Sequence, residues 1–140
     1  MRLRPYQPGD LPTLYDIDQA CFAPGISYTR EDLTAFLGHR RAQTWVAEEA
    51  GEITGFLIAL REPRSTLHII TIDVVEAWRR TGVGSLLMEA AEQWADDHGL
   101  GTIELETART ISWLRSFTKA GVTARWMKSS TITRTGPPRG

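Results

Sequence analysis

Two periods of apolar residues run along this chain, and they predict its secondary structure. Short alternating or continuous apolar runs are typical of strands, whereas apolar residues three and four positions apart are typical of helices. The strand pattern occurs over Arg2–Gln7, Thr44–Glu48, Ile53–Leu60, Leu67–Val74 and Thr102–Thr107, with a last strand that begins at Val122 and can be continued through Ile132. The helix pattern occurs after Asp10 through Phe22, from Thr29 to Gly38, from Gly84 to about His98 and from Thr110 to Lys119.

The ends of three predicted helices carry residues that favour helix termini. Asp10 is suited to cap the first helix, with Pro12 in its first turn. Thr29 and Asp32 approximate the spacing of a capping box, and Gly99 is a natural stop for the third helix. The third helix also has the clearest apolar face, formed by Leu86, Leu87, Ala90, Ala91, Trp94 and Ala95.

The order of the elements predicts an α+β fold built on a mixed sheet. The order is strand, two helices, three strands, helix, strand, helix and strand. The turn at residues 49–52 predicts an antiparallel hairpin. The strand–helix–strand unit that follows predicts either parallel pairing or a splayed gap between its strands.

The turn before the third helix is the most informative segment of the chain. It carries the motif Arg79-x-x-Gly82-x-Gly84. Unpaired N–H groups and the positive end of a helix dipole bind phosphate, and glycine lets the backbone approach a ligand closely. The Lys of a P-loop is missing, and Leu87 stands where a dinucleotide-binding turn needs a third glycine. The motif therefore predicts another kind of diphosphate site or, in the plainer interpretation, an ordinary turn with two surface arginines.

The same motif resembles the diphosphate loop of the GNAT superfamily of N-acetyltransferases, whose usual form is Arg/Gln-x-x-Gly-x-Gly/Ala. The resemblance covers about Arg2 to Trp126 and is strongest over residues 67–99. It implies the GNAT acyl-CoA N-acyltransferase fold, an α+β fold with a central mixed, mostly antiparallel sheet flanked by about four helices. We expect a single domain over residues 1–134 and a disordered tail over residues 135–140.

A GNAT enzyme transfers an acyl group, usually acetyl, directly from coenzyme A to a primary amine. The resemblance therefore implies acetyl-CoA as co-substrate and no metal. It implies that the main chain of Ile72, Asp73 and Val74 contacts the pantetheine arm. For the Asp73 side chain, a strand-end carboxylate that pairs with an arginine is at least as good an interpretation as a catalytic role. The implied diphosphate site comprises Arg79, Arg80, Thr81, Gly82, Val83, Gly84 and Ser85.

Two residues are candidates for the general base. Glu106 lies in a Leu-Glu-Thr segment that resembles the Leu-Glu-Val segment of ribosomal-protein-type N-acetyltransferases, in which this Glu is the base. His68 lies near the start of the preceding long strand, where some N-terminal acetyltransferases carry a catalytic tyrosine, and histidine in general exchanges protons near neutral pH. The plainer interpretation of both, and of Glu104 on the same strand face as Glu106, is a solvated or hydrogen-bonded strand residue.

One departure from the family concerns the acid that protonates the departing thiolate. Related enzymes carry a Leu-Tyr-x-x-x-Gly-Phe pattern, and Phe117 stands at the position of its Tyr. Phenylalanine has no proton to give. A thiol with a pKa of about 8.5 is a tolerable leaving group near neutral pH, so we expect slower chemistry rather than none. A non-catalytic acyl-CoA-binding module is the alternative that this departure leaves open.

The acceptor side is indicated by the segment from Cys21 to Tyr28, which resembles the Cys-Phe-x-x-Pro segment of ribosomal-protein alanine acetyltransferases. The resemblance implies that Phe22 and Tyr28 flank a peptide N-terminus, although core packing is the plainer role for Phe22. A protein or peptide amine is therefore the favoured acceptor, with a small-molecule amine as the alternative.

Composition adds only limits. The chain has 140 residues and a formal net charge of −1, so no basic field points to nucleic acid. Its single cysteine excludes an internal disulfide, and the absence of a long apolar run or signal sequence leads us to expect a cytoplasmic protein without membrane contact. The last strand and the late tryptophans Trp113 and Trp126 are compatible with a homodimer along the sheet edge.

Overall fold

The computed structural model describes residues 1–105, 122–125 and 130–134. Its helices are α1 (Leu11–Cys21), α2 (Arg30–Leu37) and α3 (Val83–Asp97). None of these helices, which are those of the described residues, is long and apolar enough to cross a membrane. The strands are β1 (Arg2–Pro5), β2 (Ala42–Glu49), β3 (Glu52–Glu62), β4 (Thr66–Val74), β5 (Thr102–Leu105), β6 (Val122–Arg125) and β7 (Ser130–Arg134).

The strands form one sheet in the order β1-β2-β3-β4-β5-β7-β6. Neighbouring strands are antiparallel except β4 and β5, whose parallel ladder joins residues 66–69 to residues 102–105. The predicted mixed and mostly antiparallel sheet is therefore confirmed. Of the two arrangements that the strand–helix–strand unit left open, these residues adopt parallel pairing.

The prediction of one last strand from Val122 through Ile132 is wrong. The chain reverses there, and β6 pairs with β7 in antiparallel register from Val122–Arg134 to Arg125–Thr131. An alternating pattern continues through such a reversal because both arms have the same period of two, so the pattern alone does not mark the turn. The predicted helix at residues 110–119, Trp126 and the tail at residues 135–140 lie outside the described residues.

Apolar side chains cover both faces of the sheet. On one face, Leu67, Ile69 and Ile72 of β4 belong to a buried cluster with α3. On the other face, Phe56, Ile58 and other residues form a second cluster with α1 and α2. The sheet is therefore the middle of three layers.

The buried face of α3 is rotated slightly from the predicted one. Leu87, Ala91 and Ala95 are buried as predicted, whereas Leu86 and Trp94 lie at the half-buried margin. The remaining buried residues are Val83, Gly84 and Met88. The face is centred on Leu87 because the first turn of the helix packs directly against the sheet.

The predicted helix ends agree with the structure in two places and differ in one. Thr29 and Asp32 form the reciprocal capping box of α2, and Gly99 follows α3 with a φ of 71°. Asp10 precedes α1, but its carboxylate does not cap that helix. It accepts hydrogen bonds from the guanidinium of Arg4 and from the backbone of Gln7, which lowers the pKa of the Asp10 carboxyl. The Asp10 carboxylate therefore pairs with Arg4 on β1, which is a stronger partner than the backbone amides of α1.

Gly55 on β3 permits the close approach of three elements. A Cβ at this position would lie 2.7 Å from the carbonyl oxygen of Asp73, 3.1 Å from the Val83 side chain and 3.4 Å from that of Leu87. The first of these contacts is with backbone, which cannot rotate away. The missing side chain therefore sets how closely the N-terminal end of α3 packs on β3 and β4.

We predict that Gly55→Ala lowers the free energy of unfolding by about 1–3 kcal/mol, because the added methyl group forces β4 and α3 apart. Gly9→Ala is the matched control, since a Cβ at Gly9 meets nothing within 4 Å. Urea unfolding followed by circular dichroism measures both variants. Equal stability of the two would contradict this account of Gly55.

Candidate active site

The turn between β4 and α3 leaves backbone donors available at a helix N-terminus. Arg80 has a φ of 65° and Gly82 a φ of 95°, and α3 then begins at Val83. The Leu86 amide donates to the Gly82 carbonyl at 3.0 Å. Over the part of the chain that the structure describes, the amides of residues 80 to 85 have no hydrogen-bond acceptor. This arrangement can bind an anion, because unpaired N–H groups and the helix dipole act together.

Arg79 and Arg80 differ in where their side chains lie. The Arg79 guanidinium donates through Nε to the Val74 carbonyl at 3.2 Å, and its Nη2 lies 3.5 Å from the Sγ of Cys21. It therefore joins the end of β4 to the end of α1. Arg80 is exposed in the turn itself. Of the two arginines predicted at the diphosphate site, only Arg80 is unengaged among the described residues.

A β-bulge in β4, shortly before this turn, reverses which side chains point to each face of the sheet. Ile58 of β3 pairs with Thr71 and Ala59 pairs with Ile69, so Ile70 is the extra residue. Before the bulge Ile69 packs with α3, and after it Ile72 and Val74 do so, while Ile70 packs with α1 and α2. The bulge thereby turns the side chains of Thr71 and Asp73 toward α1.

The Asp73 carboxylate is buried at that face, with 1% exposure. It accepts a hydrogen bond from the hydroxyl of Thr71 on the same strand. Ile72 and Val74 are also buried, and β3 is the only described strand that pairs with residues 71–74. On the β5 side, the described ladder stops at Ile69.

Tyr28 connects the predicted acceptor loop to the bulge. Its hydroxyl donates to the Ile70 carbonyl at 3.2 Å, and its ring packs edge-on against Phe36, with 5.1 Å between centroids. Phe22 is half-buried, and the two apolar clusters of the described residues do not include it. Its two predicted roles, in the core and beside a peptide N-terminus, both stay predictions.

Asp18 is a site residue that the sequence reasoning missed. It is fully buried on α1, and its carboxylate accepts a hydrogen bond from the Tyr28 amide at 2.8 Å. The Gln19 side chain donates to the Tyr28 carbonyl at 2.8 Å. Asp18 lies beside Leu14 and Ile17 on the inward face of the helix. The signal that could have identified it is a charged residue at an inward position of the helix pattern.

Of the two candidate bases, only His68 lies within the described residues. His68 is 17% exposed, and its Nδ1 lies 3.7 Å from the Oε2 of Glu104, its neighbour across the parallel ladder. It lies two residues before the bulge. Glu106 lies outside the described residues, immediately after the end of β5, and Phe117 lies outside them as well.

Two pockets adjoin these elements. A small, mostly apolar cavity of about 280 Å³ lies between α1 and the turn after β4, lined among others by Ile17, Cys21 and Arg79. A larger pocket of about 590 Å³ is lined by residues that include Arg61, Arg64 and His98. It lies at the opposite end of β4 from the glycine turn, so its size does not make it the acyl-CoA site.

The sequence matches the family model described as Acetyltransferase (GNAT) family over residues 11–117. The chain belongs to the GNAT acetyltransferase family. The match covers more than half of the chain and spans α1, the glycine turn and β5. The resemblance inferred from the glycine motif is thereby confirmed, and acetyl-CoA is the co-substrate typical of this GNAT acetyltransferase's family.

Solved structures of other proteins share the fold. Ard1 from Thermoplasma volcanium is 22% identical, with a TM-score of 0.74 over 97% of this chain and 98% of that one. The ribosomal-protein alanine N-acetyltransferase of Escherichia coli is 17% identical, with a TM-score of 0.71 over 97% and 95%. The PaiA N-acetyltransferase of Thermoplasma acidophilum, solved with coenzyme A, is 12% identical, with a TM-score of 0.69 over 96% and 98%. No curated protein sequence matches this GNAT chain.

We predict that Cys21 reacts slowly with alkylating reagents in the folded protein. Burial and the nearby negative charge of Asp73 raise the pKa of its thiol, and these effects outweigh the opposing contact with Arg79. The pH midpoint of iodoacetamide labelling should therefore lie above the ordinary value of about 8.5. Because Cys21 is the only cysteine, labelling reports this thiol alone. The same chain unfolded in urea is the control, and a folded-state midpoint at or below the unfolded one would contradict the prediction.

Proposed function

We propose that this GNAT acetyltransferase binds acetyl-CoA at the β4–α3 turn and transfers the acetyl group to a protein or peptide amine. The single observation that carries the proposal is the set of amides at residues 80 to 85, at the N-terminus of α3, for which the described residues provide no acceptor. Such donors can bind the diphosphate of coenzyme A, because it carries two negative charges.

The binding site that we propose has two parts. The diphosphate accepts hydrogen bonds from the amides of Thr81, Gly82, Val83, Gly84 and Ser85, with Arg80 adding positive charge. The pantetheine arm lies along the main chain of residues 72–74, where described β5 no longer covers β4. Arg79 acts through the Val74 carbonyl, which it holds at the end of that strand.

The reaction that we propose is direct. A base removes a proton from the acceptor ammonium, and the amine nitrogen attacks the thioester carbonyl carbon. As the C–S bond breaks, the nitrogen loses a second proton and the departing CoA thiolate takes one, which leaves an amide and free coenzyme A. Glu106 and His68 are the two candidates for the base. Positioning of the two substrates supplies most of the rate gain, and the base adds about 10²–10⁴-fold.

The acceptor side is proposed from the loop between α1 and α2. Tyr28 is fixed over the bulge by its hydroxyl and by Asp18, while residues 23–26 of the loop are exposed. With Phe22 half-buried at the loop entrance, this surface suits an extended peptide N-terminus. The similar ribosomal-protein alanine and Ard1 acetyltransferases support a protein acceptor. A small-molecule amine is the alternative, and a second copy of the chain along the β6 edge remains a separate proposal, which light scattering tests.

Gly82→Ala should weaken acetyl-CoA binding about tenfold or more, because a Cβ strains the positive φ and intrudes where the diphosphate approaches the backbone. Isothermal titration calorimetry with acetyl-CoA and with coenzyme A measures this. Gly51→Ala is the matched control. Gly51 has a φ of 83° in the β2–β3 hairpin, so the same backbone strain is introduced away from the site. Equal loss of affinity in both variants, or no binding by the native chain, would contradict the proposed site.

Removal of the base should lower kcat by about 10²-fold or more. Glu106→Gln and His68→Gln are compared in a thiol-release assay with a panel of peptides and small amines, in the presence of a chelator. The variant that loses this activity while retaining acetyl-CoA affinity identifies the base. Glu89→Gln on the exposed side of α3 is the control. Unchanged turnover in both test variants would exclude both candidates, and turnover with small amines alone would overturn the protein acceptor.

A further inference from the structure

Three potential metal ligands from three adjacent strands meet on the face of the sheet that carries α1 and α2. They are Glu62 at the end of β3, His68 on β4 and Glu104 on β5. Each offers one ligand atom, and these three atoms all lie within 4.8 Å of one another. Two of them, the Nδ1 of His68 and the Oε2 of Glu104, are 3.7 Å apart.

The register of the sheet produces this meeting. His68 lies beside Glu104 in the parallel ladder and opposite Leu60 in the antiparallel one. Glu62 is two residues from Leu60, so it shares that face of the sheet and is a diagonal neighbour of His68. Diagonal Cα atoms are about 7–8 Å apart, which long side chains span easily. The positions of the three ligands along the chain are therefore set by strand pairing and do not depend on surface loops.

Arginines lie near this cluster, since Arg41, Arg61 and Arg64 line the same pocket as Glu62. Among the described residues no arginine or lysine forms an ion pair with Glu62 or Glu104, whereas Glu48 is paired with both Arg2 and Arg4. With a neutral imidazole, two carboxylates bring two negative charges together. A divalent cation would neutralise both.

We propose that Glu62, His68 and Glu104 bind a divalent transition-metal ion of the Zn²⁺ type, with water completing its coordination. Imidazole nitrogen with carboxylate oxygen favours such ions, whereas Ca²⁺ and Mg²⁺ prefer oxygen alone. Ligands at about 2.0–2.2 Å from Zn²⁺ lie about 3.3–3.6 Å from one another in a tetrahedron. The His68–Glu104 separation is already close to this range. The ligand atom of Glu62 lies within 4.8 Å of the other two, and the site requires this exposed side chain to move closer to them.

The site adds a second role for His68 beside that in the proposed function. An ion on Nδ1 holds the imidazole and changes its proton exchange, so a bound ion and a base role at His68 interfere with each other. The metal site itself does not depend on which residue is the base or on the identity of the acceptor.

The test uses the full-length chain without an affinity tag, stripped with chelator and desalted. Titration with Co²⁺ should give visible d–d bands that saturate at one ion per chain and disappear when Zn²⁺ is added. Zn²⁺ should also raise the melting temperature, since an ion that binds only the folded state stabilises it. Glu62→Gln, His68→Gln and Glu104→Gln should each weaken the ion's affinity by at least about tenfold, because even outer partners of metal ligands contribute this much.

Two control variants have the same chemistry away from the cluster: His39→Gln and Glu89→Gln should bind Co²⁺ like the native chain. Absence of saturable Co²⁺ binding, or unchanged binding in all three cluster variants, would overturn the proposal. Calorimetry with acetyl-CoA on the same samples separates the two proposals. If the native chain binds acetyl-CoA but not Co²⁺, only the metal site is overturned. If the native chain binds Co²⁺ but not acetyl-CoA, only the proposed acetyl-CoA site is overturned.

Discussion

The close packing at Gly55 is the contact on which the geometry of the candidate site depends. A side chain there would collide with the Asp73 carbonyl and with Val83. Without one, the first turn of α3 lies directly on the ends of β3 and β4. The amides at the start of the helix and the main chain of residues 72–74 are then held at one fixed separation. The size of a ligand that contacts both is therefore limited by a separation that depends on Gly55 having no side chain.

The bulge at Ile70 performs a second task within the same strand. Without an extra residue, strict alternation would direct Thr71 and Asp73 toward α3 along with Ile69. The bulge reverses this phase, so the polar pair lies near Cys21 while Ile72 and Val74 continue the apolar contact with α3. The carbonyl of Ile70 also becomes the acceptor for the Tyr28 hydroxyl. One inserted residue thus allows β4 to pack against α3 on one face and to contact the loop between α1 and α2 on the other.

Residue types that lie close together in sequence predicted much of the fold. The features that they did not predict depend on how the strands are aligned or on where the chain reverses direction. The Thr29–Asp32 capping box and the Arg79-x-x-Gly82-x-Gly84 turn are local in sequence, so their residue types were sufficient. The Glu62–His68–Glu104 cluster was not predicted, because it arises only when three strands are aligned. The β6–β7 reversal was missed because alternation is the same in both arms. Asp10 was assigned to a helix cap because the sequence does not show that Arg4 lies beside it.

The loop between α1 and α2 is anchored at its base and exposed at its tip. Asp18, Gln19 and the capping box of α2 hold Tyr28 and Thr29, whereas residues 23–26 are exposed. Exposed tips tolerate exchange and insertion when the surrounding backbone is anchored. This short stretch is therefore a natural place to graft segments from other family members. Such chimaeras would change the surface that this loop presents to other molecules without changing the fold.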